Sequence, residues 1–218
     1  MFRSALAAFA IAAATLLPAS LSATTLDNGS GTLGSVSSFG YPDSQTYGQV
    51  FTAPVTGTLT SFTLWLDGAV ANIVGGVGTW NGTAAFDYGF GSDTTLFNSA
   101  STPSVAGANT FTTNISVTAG NLYVAFLSVF GLDDIYATTS MPLSDTVTPG
   151  IEYFVWNNGT NPNGNSSWNY FFNAGSVRFA ATFEPSSVPL PASLPLALLA
   201  LAGLGFVARR RNTSGAAV

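Results

Sequence analysis

Hydrophobic and polar positions along this chain follow two patterns: continuous apolar runs at both ends, 5–17 and 194–208, and alternation in the long middle. Over 58–66, Phe62, Leu64 and Leu66 fall on one side and Thr63 and Trp65 on the other, the period of two that a half-buried strand imposes. Residues 48–54 read as a short strand closed by Pro54, and 73–80 as another, whose Gly75, Gly76 and Gly78 predict a bulge or a close backbone approach. Further runs at 95–98, 110–117, 122–129, 151–156, 169–173 and 176–183 are each bounded by Gly, Pro, Asn or Ser. In the last of them Val177, Phe179, Ala181 and Phe183 share a face, with Arg178 and Thr182 opposite. No part of the middle has helical period. Short strands separated by turn signals predict an all-β fold, an antiparallel jelly-roll-like β-sandwich of about eight strands over 47–183. Residues 24–46, rich in Gly, Ser and Thr, are expected to be loose or to form a weak edge strand.

One internal echo stands out. Val117-Thr118-Ala119-Gly120-Asn121-Leu122-Tyr123 and Val147-Thr148-Pro149-Gly150-Ile151-Glu152-Tyr153 share Val-Thr, Gly and Tyr at equal spacing. The flanks do not match, so the echo predicts a shared turn, with Gly in a conformation other residues resist, and not a solenoid repeat. Each Tyr is expected to bury its ring and keep its hydroxyl in water.

The apolar ends have different flanks. Arg3 precedes the first run and the small residues of 18–23 follow it, which predicts a signal peptide, 1–23, cut after Ala23. At the other end, residues 184–187 form a linker to Val188-Pro189-Leu190-Pro191-Ala192. A charge-free run follows, 194–208, then Arg209-Arg210-Arg211 and a short tail, 212–218. The run predicts a helix with Pro195 in its first turn, roughly 22 Å long at about 1.5 Å per residue. That is short of a hydrocarbon core of roughly 30 Å, but it spans if the arginines snorkel and the bilayer thins. Basic residues stay on the cytoplasmic side, so Arg209, Arg210 and Arg211 place 212–218 inside and the body outside.

This ordered trio of motif, helix and arginines, covering 188–211, resembles the PEP-CTERM sorting signal of Gram-negative bacteria in its Val-Pro-Leu-Pro-Ala form. The resemblance implies that Val188, Pro189, Leu190, Pro191 and Ala192 are recognised by an exosortase, a membrane-embedded cysteine protease that removes the helix and releases or hands on the body. It implies transient anchoring in the inner membrane, then display at the cell surface or in an extracellular matrix with exopolysaccharide as partner. Leu190 stands where the commonest form has Glu, and seven residues follow the arginines where members often stop sooner. A sortase motif is a poor match, because Ser193 and Leu194 replace the Thr and Gly that sortase requires. A permanent single-pass anchor without processing is the alternative.

Composition narrows the chemistry of the body. The 218 residues leave room for one extracytoplasmic domain of about 160, enough for a packed core. With no Lys, His or Cys, the chain has no Ser-His-Asp or Cys-His catalysis, ordinary structural zinc site, haem attachment or disulfide. Arg178 is the body's one cation against ten carboxylates, a formal charge of −9, which repels phosphate and excludes nucleic acid as a partner.

What remains is carbohydrate and cation chemistry. Trp80-Asn81-Gly82 and Trp156-Asn157-Asn158-Gly159 each set an indole beside an amide-rich turn, and Trp65 and Trp168 extend the set of candidate sugar-stacking rings. The favoured alternative is that these rings cap the core and Asn-Gly merely turns the hairpin. Asp133 and Asp134 are the first place to look for a structural calcium, although no Asp-x-Asp-x-Asp-Gly loop fixes one and no other cofactor is expected. Asp133 with Asp134, Asp87 with Asp93, and Glu152 are the carboxylates a glycoside hydrolase could use. The favoured reading is non-enzymatic: an exported, exosortase-processed protein with a structural or adhesive role at exopolysaccharide. A carbohydrate-binding module is the alternative, and a carboxylate-based hydrolase a more distant one.

Overall fold

A computed structural model describes residues 22–29, 33–80, 95–132, 135–159, 161–163, 168–170 and 175–186. They form fourteen strands: β1 (Thr24–Asp27), β2 (Ser35–Tyr41), β3 (Thr46–Thr52), β4 (Gly57–Leu66), β5 (Asn72–Thr79), β6 (Thr95–Asn98), β7 (Thr102–Pro103), β8 (Gly107–Val117), β9 (Leu122–Ser128), β10 (Ala137–Ser144), β11 (Ile151–Asn157), β12 (Asn169–Tyr170), β13 (Ser176–Val177) and β14 (Phe179–Pro185). The fold is all-β, and every pairing between these strands is antiparallel. Among the described residues there is no helix long and apolar enough to cross a membrane. The expected signal peptide before residue 22 and the expected transmembrane helix, 194–208, lie outside the described residues.

Two layers face each other. One combines a four-stranded sheet, β1-β14-β4-β8, with a three-stranded sheet, β13-β10-β2. The two sheets adjoin where Asp67 N–H donates to Ser140 O at 2.9 Å and Arg178 N–H to Pro142 O at 2.8 Å. The other layer runs β12-β11-β3-β9-β5-β6, with β7 also on β5. The period-two pattern sets what lies between them: Phe62 and Leu64 of β4, Val177, and Phe179 and Phe183 of β14 are fully buried against Phe51, Leu127 and Val77 of the opposite layer. Phe51 stacks on Phe179 at 5.3 Å and Phe62 on Phe111 at 5.2 Å. With no disulfide available, this apolar burial stabilises the fold.

The expected glycine approach on β5 has a specific form. A Cβ on Gly75 would stand 2.6 Å from the Phe111 ring, and one on Gly76 would stand 2.1 Å from Cζ of Phe126, so an aromatic ring lies on each side of the strand.

The described parts of 24–46, residues 24–29 and 33–46, take the edge-strand alternative. β1 pairs with β14 and β2 with β10, both as edge strands, because Leu26 and Phe39 are core residues and draw their segments into the sheets. The expected linker also shortens: Glu184 and Pro185 extend β14 opposite Thr58 and Gly57. β10 has no sequence signal of its own, since Ala137-Thr138-Thr139-Ser140-Met141-Pro142-Leu143-Ser144 lacks an unbroken apolar alternation and holds a proline.

The echo is one turn used twice. Asn121 N–H donates to Thr118 O at 3.1 Å and Ile151 N–H to Thr148 O at 3.0 Å, with Gly120 at φ 81° and Gly150 at φ 87°. Both turns bond the same end of β3: Gly120 N–H reaches Ala53 O, and Gly150 O accepts from Thr52 N–H. The two tyrosines then diverge, because a bulge between Ile151 and Phe154 turns Tyr153 to the opposite face from Tyr123. Neither hydroxyl is simply left to water: Tyr123 Oη accepts Thr118 N–H at 2.9 Å, and Tyr153 Oη accepts Trp80 Nε1–H at 2.8 Å.

Candidate functional site

Alternation along each strand sorts the candidate rings by face. On the outer face of the β12-to-β6 sheet, Val50, Val124, Phe126 and Val155 make an apolar floor. Gly48 and Gly76 keep it low, for a Cβ on either would press on Val124 or Phe126. Trp80 and Trp168 settle there, 6% and 1% exposed, with centroids 6.1 Å apart and planes at 87°. Trp168 also leans on Phe126 at 5.7 Å. These two indoles take the core-capping alternative and build a small second core: an indole buries a large apolar area, and the glycine-lowered floor gives it somewhere to do so.

The other two tryptophans are elsewhere. Trp156 is half-buried against the main core. Trp65 faces outward from β4, half-buried, with the Arg178 guanidinium carbon 4.2 Å from its ring centroid. The structure thus brings Trp80 and Trp168 together and leaves Trp65 and Trp156 apart from them.

An open aromatic ring is present at a position the sequence did not single out. Tyr136 is 78% exposed and stands edge-on to Tyr41, centroids 4.9 Å apart and planes at 79°. Tyr41 pairs across the strands with Ala137, so the ends of β2 and β10 fix the two rings. The turn after β2, Pro42-Asp43-Ser44, adds a carboxylate, Asp43, which accepts a hydrogen bond from Ser38 Oγ. An exposed ring held this way can stack on the apolar face of a pyranose. The available signal was the apolar pair Ile135-Tyr136 on a turn, and exposure, not residue type, distinguishes it.

Three other described carboxylates accept from hydroxyls or backbone. Glu152 Oε1 accepts from Thr52 Oγ1 at 2.7 Å, Asp67 accepts from Ser140 Oγ, and Asp27 Oδ1 accepts Gly29 N–H at 2.7 Å. Among the described residues no three acidic groups gather to hold a metal. The calcium candidates Asp133 and Asp134, and Asp87 and Asp93, lie outside the described residues. So do Val188, Pro189, Leu190, Pro191 and Ala192 and the arginines Arg209, Arg210 and Arg211. Ala23 is described and exposed, immediately before β1.

No protein-family model, curated protein or solved structure matches the chain.

Proposed function

We propose that this is an exported surface or matrix protein, tethered briefly to the inner membrane by its C-terminal helix and released by an exosortase cutting at Val188 to Ala192. Its body then serves a structural or adhesive role at exopolysaccharide. The observation that carries this reading is where the sandwich ends. β14 closes at Pro185, and Ser186 makes the last described bonds, from its N–H and Oγ to Thr56 O at 3.0 and 3.2 Å. The motif begins two residues further on, so a cut there costs the described sheets none of these bonds. Ala23 is likewise exposed outside β1, where removal of a signal peptide spares the first strand.

The body is read as a jelly-roll-like sandwich, supported by the way the chain changes layer between β3 and β4, β4 and β5, β8 and β9, β9 and β10, and β10 and β11. Its adhesive contact is assigned to the Tyr41 and Tyr136 corner and to a neutral saccharide, since an acidic body repels an acidic polymer. Intact-mass measurement of protein released from the cell surface tests the processing. Ends near Thr24 and within Val188 to Ala192 are expected, and a C-terminus at Val218 rejects exosortase release in favour of a permanent anchor.

A further inference from the structure

The outer edge of the four-stranded sheet is built to be paired. β8 is eleven residues long, carries no charge and no proline, and alternates strictly: Ala108, Thr110, Thr112, Asn114 and Ser116 are exposed, while Asn109, Phe111, Thr113 and Val117 are buried. Its inner neighbour is β4, with Thr63 Oγ1 and Thr110 Oγ1 2.8 Å apart. Beyond that ladder, the bonds of β8 are Thr113 Oγ1 to Leu59 O and the Asn109 side chain to Val105 and Gly107. No other hydrogen bond involves a β8 residue among the described residues, so its far row of backbone N–H and C=O groups is open. Such an edge is a template for another strand unless charge, proline, a bulge or a covering segment blunts it.

Other edges are blunted. β1 has four residues and β13 two. β7 contains Pro103. β2 is covered by its own turn, with Gly40 N–H on Ser44 O and Ser44 N–H on Ser38 O. On β8 one device is present, a register shift opposite Leu59 to Ser61, and it leaves 108–112 as a regular segment.

We propose that β8 pairs antiparallel with β8 of a second copy over 108–112, Thr110 near the twofold axis, joining two four-stranded sheets into one of eight strands. Two features select this occupant. Antiparallel pairing about Thr110 sets Thr110 against Thr110 and the small Ala108 against Thr112 on the outer face, a register with no charged or bulky pair. The body is strongly acidic, and this charge-free edge is where two copies approach with least repulsion.

Hydrogen–deuterium exchange on the purified full chain in detergent, at protein concentrations about a hundredfold apart, tests it. Slowing of 108–112 amide exchange at high concentration is expected, with β9 amides unchanged. Thr110→Lys and Thr110→Glu, both at an exposed site, should each lose the slowing, and an equimolar mixture should regain it. Unchanged β9 exchange in both variants reports an intact fold. Concentration-independent exchange of 108–112 in the wild type overturns the proposal, as does slowing that survives in either charged variant alone.

Discussion

Asn28 and Val177, 149 residues apart, are joined by a buried bond: Asn28 Nδ2–H donates to Val177 O at 2.8 Å. The same amide's Oδ1 accepts Phe179 N–H at 2.8 Å, and Gln49 Oε1 accepts Val177 N–H at 3.0 Å. The chain crosses here from β13 to β14, and at the crossing these backbone groups take side-chain amides as partners. Removing the Asn28 amide leaves two buried backbone groups unpaired, so Asn28→Ala should cost roughly 2–6 kcal/mol at about 1–3 kcal/mol per group. Asn28→Asp keeps the acceptor for Phe179 but loses the donor to Val177 and buries a charge, so it should be no milder. Urea unfolding monitored by tryptophan fluorescence measures both; a loss below about 0.5 kcal/mol for Asn28→Ala would show the clasp to be dispensable.

Gly76 makes a sharper steric case. Its missing Cβ is the space the Phe126 ring occupies, so Gly76→Ala must push that ring into Trp168. A cost of about 1–3 kcal/mol is expected for such overpacking. Combining it with Phe126→Leu should recover part of the loss, because the shorter side chain vacates the clash. A double variant no more stable than the sum of the two singles would mean that strand conformation, not the ring, requires glycine.

These two sites show what the sequence could and could not disclose. Alternation placed β4 and β14, because a strand with one face in a core must write apolar residues at every second position, while β3, β5, β8, β9 and β11 were legible as short runs bounded by Gly, Pro, Asn or Ser. The glycines of 73–80 announced a close approach without naming the rings that make it. β10 stayed hidden, and β1 and β2 were legible only as a weak edge alternative: each offers only one or two apolar anchors, Met141, Leu26 and Phe39, and is held by pairing to strands far away in sequence. The choice between sugar platform and core cap stayed open in the sequence for a related reason. Trp80 and Trp168 are 88 residues apart, and local sequence cannot say that they meet over a floor supplied by β3, β9 and β11.

Tyr47 gives the fold an alkaline weakness. Burial against Phe154 and Phe39 raises its phenol above the usual 10.0, the negative charge of Asp43 adds to the rise, and a hydrogen bond with Ser44 opposes it. Below pH 10 both folded and unfolded states hold the proton, and the contribution is fully present. Above it the unfolded chain ionises first, so stability falls as pH climbs toward the folded value. Tyr47→Phe removes this term. Urea midpoints compared between about pH 9 and 11.5 should fall less steeply in Tyr47→Phe than in the wild type, and parallel slopes would exclude Tyr47 as a source.

Burial separates the rings that hold the body together from the ring assigned to saccharide. Trp168 is 1% exposed within the second core, so Trp168→Ala should cost about 3–5 kcal/mol and weaken retention on the producer's polysaccharide only as the fold is lost. Tyr136 is 78% exposed, and its replacement by Ala should change stability by no more than about 0.5 kcal/mol. If the ring stacks on a sugar, Tyr136→Ala loses retention at full stability and Tyr136→Trp keeps it, because an indole presents at least as much apolar face. Matched unfolding curves and column retention on the native polymer read the two effects separately. Retention unchanged in Tyr136→Ala would remove this corner from the adhesive surface and leave the sorting proposal, which rests on 188–211, untouched.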